Sequence, residues 1–360
     1  MQIGIIGLPN SSKTTIFNAL TRGHAETTPV PACAAEVHAA TVDVPDPRVR
    51  VLSDLFHPRK TTYAQVQYND IAGLAPGVGK NGGIPGPLLN AINQNDALLH
   101  VVRAFEDDTI PHGAGSVDAA RDLAALDTEL LLSDLMIVEA RLERMQKDLQ
   151  SPQPARREAA AREQALLLRL KEALEAGTPL RDVALEPEEE KELRGFAFLT
   201  LKPVLVALNI GDEGAPQAAA LAYEHRRTQM LELRGRLEME IAQMEGDEAE
   251  TFLHEFGISE PTLSRLIRSS YELLGLQSFF TVGQDEVRAW TVRRGATAVE
   301  AADAIHSDLA RGFIRAEVVA YDDLIAAGSL AAAKERGHVR LQGKDYVVKD
   351  GDILNIRFNV

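Results

Sequence analysis

Apolar residues in the first part of the chain fall into short runs bounded by turn residues, a pattern that predicts strands. The runs are Gly4–Ile6, Ala64–Tyr68, Ala97–Val102 and Pro203–Asn209. A helical spacing at Lys13–Thr21 follows the first run directly. Strands that alternate with helices are typical of a mostly parallel sheet, whose ligands bind at the carboxyl ends of the strands. The sequence therefore predicts an α/β fold with a site at that edge.

A long segment inside this α/β pattern has only helical spacing. Between residues 118 and 195 apolar positions recur every three or four residues, and the breaker SPQP at 151–154 divides them into two runs. Two long helices joined by such a turn predict an antiparallel hairpin with coiled-coil packing. Its apolar stripe, which we expect to be core, is Leu130, Leu131, Leu135, Val138 and Leu142.

The last part of the chain predicts a small α+β module around one helix. Its strand-like runs are Arg288–Val292, Phe313–Val319, Asp345–Val348 and Asp352–Phe358. We therefore expect a discontinuous α/β domain at 1–117 and 196–276, an inserted helical hairpin at 118–195, and the module at 277–360.

Composition narrows the class of protein. The chain has 360 residues, a formal net charge of −15 and one cysteine. A single cysteine forms no internal disulfide, which favours a reducing compartment. The first strand begins at Met1, which leaves no room for a signal peptide, and no run approaches the roughly 20 apolar residues of a membrane span. We expect a cytoplasmic protein, and the net charge argues against a general nucleic-acid binder.

Charge is nevertheless uneven along the predicted hairpin. Between Arg141 and Lys171 there are eight basic residues and four acidic ones. One interpretation is a solvated helix face. The other is a basic hairpin tip that contacts RNA while the acidic remainder keeps the protein soluble.

The segment from Gly7 to Thr14, GLPNSSKT, follows a strand and opens a helix, as a phosphate-binding loop does. Lys13 would reach the β- and γ-phosphates, and the Thr14 hydroxyl would ligate Mg²⁺. Ser12 stands where such loops have glycine, and if its φ is positive the cost is roughly 1–2 kcal/mol. The nucleotide contacts expected from the loop are Asn10, Ser11, Ser12, Lys13, Thr14 and Thr15.

Two further segments follow predicted strands and complete a G-domain pattern. Asp70 and Gly73 match a DxxG element, in which the aspartate supports Mg²⁺ and the glycine N–H meets the γ-phosphate. Asn209 and Asp212 match an NKxD element, which holds a purine base. Three such elements in this order predict a P-loop nucleoside-triphosphatase.

Longer segments resemble the YchF (Obg-like ATPase) family over nearly the whole chain. They are GIIGLPNSSKTTIFNALT, VDVPDPRVR, YNDIAGLAPGVGK, DALLHVVRAFEDD and RAWTVRRGATAVEAADAIHSDLARGFIRAEVVAYDDL. The resemblance implies a P-loop G domain, an inserted helical hairpin, a C-terminal TGS domain, slow nucleotide hydrolysis and association with ribosomes. It also aligns Ala34 with a switch threonine that ligates Mg²⁺ in relatives, and it places Leu74 where Ras-like enzymes have a water-orienting glutamine.

The resemblance also suggests which residues complete the chemistry. His112 matches a family histidine and is a candidate for orienting the attacking water; the other interpretation is a loop histidine without a catalytic role. Ile210 stands in the place of the lysine that packs over the base, and Arg234-Gly235 aligns with the third base-contacting element. By this alignment we expect the base to be contacted by Asn209, Ile210, Asp212, Arg234 and Gly235. Because Asp212 is followed by Glu213, the preferred base stays open, and both ATP and GTP are expected.

Three functions are consistent with these motifs and with the family resemblance. The first is an NTPase with low activity that uses Mg²⁺ and ATP or GTP, contacts ribosomal RNA through the hairpin tip and the TGS domain, and is a monomer. The second is an adaptor that binds nucleotide without hydrolysis, which Ser12 and Ala34 favour. The third is a scaffold without nucleotide, which the retained Lys13 and Thr14 argue against.

Overall fold

The computed structural model describes most of the chain with its side chains. The described residues are 1–22, 37–72, 74, 84–211, 221, 223–244, 247–255 and 260–359. Of the predicted residues, Ala34, Gly73, Asp212 and Glu213 lie outside these ranges.

Twelve strands and fourteen α-helices are present in the described part of the chain. The strands are β1 (Gln2–Ile6), β2 (Val37–Asp43), β3 (Lys60–Thr62), β4 (Gln65–Ile71), β5 (Ala97–Arg103), β6 (Val204–Asn209), β7 (Thr228–Leu233), β8 (Leu276–Thr281), β9 (Glu286–Arg293), β10 (Phe313–Ala320), β11 (Arg340–Gln342) and β12 (Asp352–Phe358). The helices are α1 (Lys13–Thr21), α2 (Pro47–Phe56), α3 (Gly86–Asn93), α4 (Ala119–Arg144), α5 (Gln146–Leu149), α6 (Pro154–Glu175), α7 (Pro187–Leu193), α8 (Gly235–Gln243), α9 (Asp247–Glu255), α10 (Thr262–Leu273), α11 (Ala298–Ile305), α12 (Ser307–Arg311), α13 (Tyr321–Ala327) and α14 (Leu330–Glu335). None of these helices combines the length and the apolar character needed to cross a bilayer.

The chain forms two compact units. Unit 1 comprises Met1–Ala40 and Gln67–Leu266, and unit 2 comprises Thr41–Val66 and Ile267–Val360. The segment 41–66 therefore belongs to the same unit as the C-terminal part of the chain. The sequence instead predicts it as part of the α/β domain. Its β3 pairs in parallel with β9, and the Arg48 guanidinium bonds to the Asp350 carboxylate. The other boundaries of the three predicted domains stay predictions.

The sheet of unit 1 confirms the predicted α/β fold. Its strand order is β2-β4-β1-β5-β6-β7. The pairs β1–β4, β1–β5, β5–β6 and β6–β7 are all parallel. Every residue of β5 and β6 is buried, as expected for central parallel strands covered on both faces. The carboxyl ends of β1, β4 and β6 lie at the same edge and deliver the predicted motifs there.

Helix α4 takes part in two hydrophobic cores. Leu123, Leu126 and Leu130 pack with the sheet, while Val138 packs in a second cluster with Leu167 and Leu170 of α6 and other hairpin residues. At 26 residues α4 is about 39 Å long, enough to belong to both. The predicted stripe is confirmed as core, since Leu131, Leu135 and Leu142 pack against the second cluster.

The predicted hairpin is confirmed, and ion pairs give its direction. Asp148 pairs with Arg156, Arg141 with Glu163, and Glu139 with Lys171. Residues progressively earlier in the first arm meet residues progressively later in the second, so the two helices are antiparallel. The turn between them has Pro154 at the first position of α6, where a proline is well tolerated.

Buried Asp134 of α4 fixes the return of the chain from the hairpin to the sheet. Its carboxylate accepts hydrogen bonds from the N–H groups of Leu199 and Thr200 and from the Thr200 hydroxyl, at 2.6–2.8 Å. Burial raises the pKa of Asp134 to about 6, against the opposing effect of these bonds.

Unit 2 contains the predicted α+β module together with residues 41–66. The module differs from the prediction at strand β8, which was not predicted, in one loop, and in the number of its helices. The sheet of unit 2 has the order β11-β10-β12-β8-β9-β3. The run Asp345–Val348, predicted as a strand, is not one: Val347 makes a single bridge to Thr297. The side chains of Tyr346 and Val348 pack against the cluster that contains α11, so the apolar alternation reflects a packed loop. Four short helices, α11 to α14, replace the single one predicted.

Candidate functional site

The loop between β1 and α1 has the backbone geometry of a phosphate-binding loop. Asn10 and Ser12 have φ values of 62° and 71°, in the left-handed region. A Cβ added at Gly7 would lie 2.4 Å from the Val101 carbonyl oxygen, so only glycine fits beside β5. The loop is therefore tightly held against the sheet, with its N–H groups at the start of α1.

Ser12 adopts the positive φ that makes a Cβ unfavourable at this position. It is the N-cap of α1, and its side chain makes no capping hydrogen bond. A left-handed non-glycine residue costs about 1–2 kcal/mol, and no local bond offsets that cost here. The conformation expected for a glycine is thus retained with a serine in place.

The Lys13 ammonium group lies inside the loop. Its Nζ donates to the carbonyl oxygens of Gly7 and Leu8, both at 2.9 Å. Burial lowers the pKa of Lys13 to about 8, while the negative charge of Asp70 acts in the opposite direction. A buried cation satisfied by neutral carbonyls is a favourable site for an anion such as a phosphate.

Thr14 and Asp70 are brought together as predicted for a metal site. The Thr14 hydroxyl donates to Asp70 Oδ2 at 2.9 Å. The two residues meet because strands β1 and β4 are paired neighbours: the phosphate loop follows β1, and Asp70 lies near the end of β4. The other carboxylate oxygen, Oδ1, is buried and has no hydrogen-bond partner among the described residues. Burial raises the pKa of Asp70, and the Thr14 bond and the Lys13 charge oppose that rise. Such oxygen donors fit Mg²⁺.

The two elements predicted to contact the base also meet. Asn209 Oδ1 accepts a hydrogen bond from the Gly235 N–H at 3.0 Å. A Cβ added at Gly235 would lie 3.1 Å from Asn209 Nδ2, so the backbone of α8 approaches Asn209 closely. Arg234 is the N-cap of α8, and its side chain is exposed. The end of β6 and the start of α8 thus form one corner of the site.

Ile210 differs from the role predicted for it. Its side chain is 5% exposed and belongs to the core cluster that contains Leu8 and Leu208. This packing gives Ile210 a structural role and does not support a contact with a base. Leu74 is likewise buried in this cluster, so it presents no group to a water molecule.

His112 lies beside the phosphate loop but has both ring nitrogens occupied. Its Nε2 is 2.7 Å from Asp122 Oδ2, and its Nδ1 accepts a bond from the Ala114 N–H at 3.1 Å. The two side chains are 9% and 7% exposed. A pocket lined by Leu8, Pro9, Ser11, His100, Arg103, His112 and Asp122, among others, adjoins the ring and has room for about one water molecule.

Sequence reasoning missed residues that surround this corner. Asp122 and Arg121 lie in the first turn of α4. No sequence motif indicates that they contact the loop of His112. His100 is inside β5, where burial, followed by the charges of Lys13 and Arg181, lowers the pKa of His100 to about 3.

Of the predicted loop residues, Ser11 has a buried hydroxyl without a partner in the described chain. Thr15 stands in the first turn of α1.

Two family models match the chain. One, described as "50S ribosome-binding GTPase", matches residues 2–138. The other, YchF-GTPase_C, described as a protein of unknown function, matches residues 276–359 and so covers most of unit 2. The TGS fold implied for this part stays a prediction.

Similar proteins cover the chain almost completely. "Ribosome-binding ATPase YchF" of Bacillus subtilis is 43% identical over 99% of both chains. The protein of the same name from Escherichia coli O157:H7 is 39% identical over 99% of both. A solved structure of the Schizosaccharomyces pombe YchF GTPase superposes with a TM-score of 0.85 and 28% identity, over 99% of this chain and 97% of that one. With these matches along its whole length, and with the phosphate loop, Asp70 and Asn209 assembled at one edge of the sheet, the chain belongs to the YchF family.

Proposed function

We propose that the protein binds a purine nucleoside triphosphate at the phosphate loop and hydrolyses it with Mg²⁺. The observation that carries this proposal is the Thr14–Asp70 bond beside the buried ammonium group of Lys13. The relatives named ATPase and GTPase support the same chemistry. The adaptor without hydrolysis is not favoured, because Ser12 costs only about 1–2 kcal/mol and leaves Lys13, Thr14 and Asp70 in place.

Thr14 and Asp70 are the residues that would hold Mg²⁺. The unpartnered Asp70 Oδ1 supports this assignment, since a buried carboxylate oxygen is costly without a donor or a cation. When bound, Mg²⁺ neutralises charge on the phosphate oxygens. Lys13 would exchange the Gly7 and Leu8 carbonyls for phosphate oxygens, and the N–H groups from Asn10 to Thr15 would surround the phosphates.

In the hydrolysis the oxygen of a water molecule forms a bond to the γ-phosphorus. The bond from that phosphorus to the β,γ-bridging oxygen breaks, a water proton passes to phosphate oxygen, and nucleoside diphosphate and inorganic phosphate leave. We assign the Gly73 N–H to the γ-phosphate and His112 to the attacking water. Leu74 is excluded from that role by its burial.

Asn209 and Gly235 support a purine site, together with Asp212 and Arg234. The preferred base depends on whether Asp212 or Glu213 faces it, and ATP and GTP are both proposed substrates. The names of the relatives include both activities. Separate binding measurements with ATP and GTP decide the preference.

The second part of the proposal is binding to the ribosome, which the names of the bacterial relatives support. At the hairpin tip, Lys147, Arg157 and Arg162 are exposed and make no ion pair within the described residues, whereas Arg156 is bonded to Asp148. The free cations are suited to RNA phosphates. Unit 2, as the expected TGS domain, is the other proposed RNA contact.

Nucleotide-induced thermal stabilisation tests the site. Wild-type protein with Mg²⁺ and either nucleotide should melt at a higher temperature than without it, and Lys13→Ala should lose the shift. Asp70→Asn should lose the part of the shift that depends on Mg²⁺. The control is Lys344→Ala, an exposed lysine of unit 2, which should keep the whole shift. An undiminished shift in Lys13→Ala would refute the assignment.

Co-sedimentation with ribosomal subunits tests the partner. Arg157→Glu combined with Arg162→Glu should reduce pelleting. The control reverses the same number of charges on unit 1 outside the hairpin, Arg226→Glu with Arg236→Glu, both exposed, and should pellet like wild type. Equal pelleting of both double variants would exclude the tip as the contact.

A further inference from the structure

The His112–Asp122 pair fixes the protonation pattern of the imidazole. The Ala114 N–H donates to Nδ1, so Nδ1 carries no proton and the Nε2 proton points at Asp122 Oδ2, 2.7 Å away. The other oxygen of Asp122 accepts from Nε and Nη2 of Arg121 at 3.0 and 2.9 Å. Both carboxylate oxygens are therefore in use, and the ring has no nitrogen left for a water molecule.

The loop that carries His112 is fixed on both sides of the ring. On one side Asn10 Nδ2 donates to the Pro111 carbonyl at 3.0 Å, which joins the loop to the phosphate loop. On the other side Arg121 Nη2 donates to the Ser116 carbonyl at 2.6 Å, which joins it to the first turn of α4. The imidazole is thus held between the element that would bind phosphate and the helix that begins the hairpin.

We infer that Asp122 is a positioning residue that holds His112 away from the attacking water, so that hydrolysis requires this bond to break. The inference rests on the role proposed above for His112. A charge-assisted hydrogen bond between two buried side chains is a strong one, and breaking it adds to the barrier of every turnover. On this account the His112–Asp122 bond keeps the rate of hydrolysis low.

Asp122→Asn tests the inference because it removes the charge and keeps the shape of the side chain. A single amide oxygen cannot serve both His112 and Arg121, so the ring should be released more often. We expect kcat for nucleotide hydrolysis to rise about tenfold, with KM little changed, which corresponds to about 1.4 kcal/mol of barrier. In the double variant His112→Ala/Asp122→Asn the rise should disappear.

Asp118→Asn is the matched control. It removes a carboxylate from the same end of α4, and asparagine caps a helix as well as aspartate does. Its turnover should equal that of the wild type. A direct readout that does not depend on turnover is the ¹⁵N spectrum of the imidazole: wild-type His112 should show a protonated Nε2 and an unprotonated Nδ1, and Asp122→Asn should show a mixture.

The outcomes separate this inference from the proposed function. If His112→Ala leaves turnover unchanged, the proposed role of His112 is wrong. If His112→Ala lowers turnover and Asp122→Asn fails to raise it, or lowers it too, the restraining role of Asp122 is wrong. A wild-type ring protonated at Nδ1 would also overturn the inference, whatever the turnover.

Discussion

At the scale of single residues, the phosphate loop combines two left-handed residues with a buried ammonium group. Asn10 and Ser12 adopt positive φ without being glycine, and among the described residues Lys13 Nζ donates to two carbonyl oxygens of its own loop. Each of these states is unfavourable by itself. A bound phosphate would stabilise the charge of Lys13 but would leave the unfavourable backbone conformation of Ser12 unchanged. Ser12 is therefore the position at which a substitution can make the loop more favourable for phosphate.

Ser12→Gly should leave the unfolding free energy within about 1 kcal/mol of the wild type. Glycine removes the left-handed penalty, but its larger freedom in the unfolded chain opposes that gain. Nucleotide affinity should rise about twofold to tenfold, because no Cβ then borders the bound phosphates. Chemical denaturation and nucleotide titration check the two quantities. Weaker nucleotide binding in Ser12→Gly would contradict the view that the Cβ hinders phosphate.

The sequence predicted the residues whose role depends on a local motif, and it missed those whose role depends on the fold. Lys13, Thr14 and Asp70 are where the motifs place them, because each motif ends or follows a strand of a parallel sheet. Asp122 meets His112 only because α4 begins beside the phosphate loop, which no spacing along the chain encodes. Ile210 was assigned to the base by analogy, and its core packing could not be inferred from a four-residue motif.

At the scale of elements, α4 connects the core of the sheet with the core of the hairpin. Its first half packs on β5 and β6, and its second half packs on α6. Asp134 lies between these two halves and holds the backbone of Leu199 and Thr200, where the chain returns to β6. The hairpin is thus anchored by one buried carboxylate as well as by apolar contacts.

Asp134→Asn should lower the unfolding free energy by about 1–3 kcal/mol at pH 7.5, because an amide cannot accept all three donors. The difference should increase as the pH falls. In the wild type the pKa of this carboxyl is about 6 when folded and about 3.9 when unfolded, so the folded protein binds the proton between these values. Stability from this group is therefore greatest below the lower value and decreases as the pH rises through the window.

Urea unfolding of both proteins between pH 5 and 7.5 measures this difference. Asp303→Asn, an exposed aspartate on α11, is the control and should follow the wild type at every pH. A wild-type advantage over Asp134→Asn that shrinks on acidification would contradict the proposed protonation.

The elements predicted correctly have a buried face, but burial was not sufficient, since the buried strand β8 was not predicted. Helix α1 and strand β12 have the predicted bounds, and β5 and β6 differ from prediction by one residue each. Strands β3 and β11 have only three residues at the edges of their sheet, and most residues of β2 are exposed, so no apolar run marks them. Asp345–Val348 shows the opposite error, since a loop packed on α11 also alternates apolar and polar residues.

At the scale of the whole molecule, the chain builds two compact units from interleaved segments. Unit 2 takes in residues 41–66, which the sequence could not assign because their partners lie more than two hundred residues later. Arg48 makes this connection: its guanidinium bonds to Asp46 and Asp350 and lies 5.1 Å from the ring centre of Phe280. Segments that pack together in unit 2 are therefore far apart in the sequence.

Arg48→Ala should destabilise unit 2 by about 1–3 kcal/mol, because two carboxylates lose their shared partner. Hydrogen exchange of the β8 and β12 amides should accelerate, whereas exchange in β5 and β6 should stay as in the wild type. Arg59→Ala, whose pair with Asp285 is exposed on both sides, is the control and should change little. Equal acceleration in both units would show that Arg48 does not act on unit 2 alone.

The central claim, that this member of the YchF family hydrolyses a nucleotide at the phosphate loop, is tested most directly by phosphate release. Purified protein is given ATP or GTP with Mg²⁺, beside Lys13→Ala and beside wild type with the metal chelated. The account predicts slow release with at least one nucleotide, lost in Lys13→Ala and lost without Mg²⁺. Binding without release, with ribosomes absent or present, would contradict it, and so would release that survives Lys13→Ala.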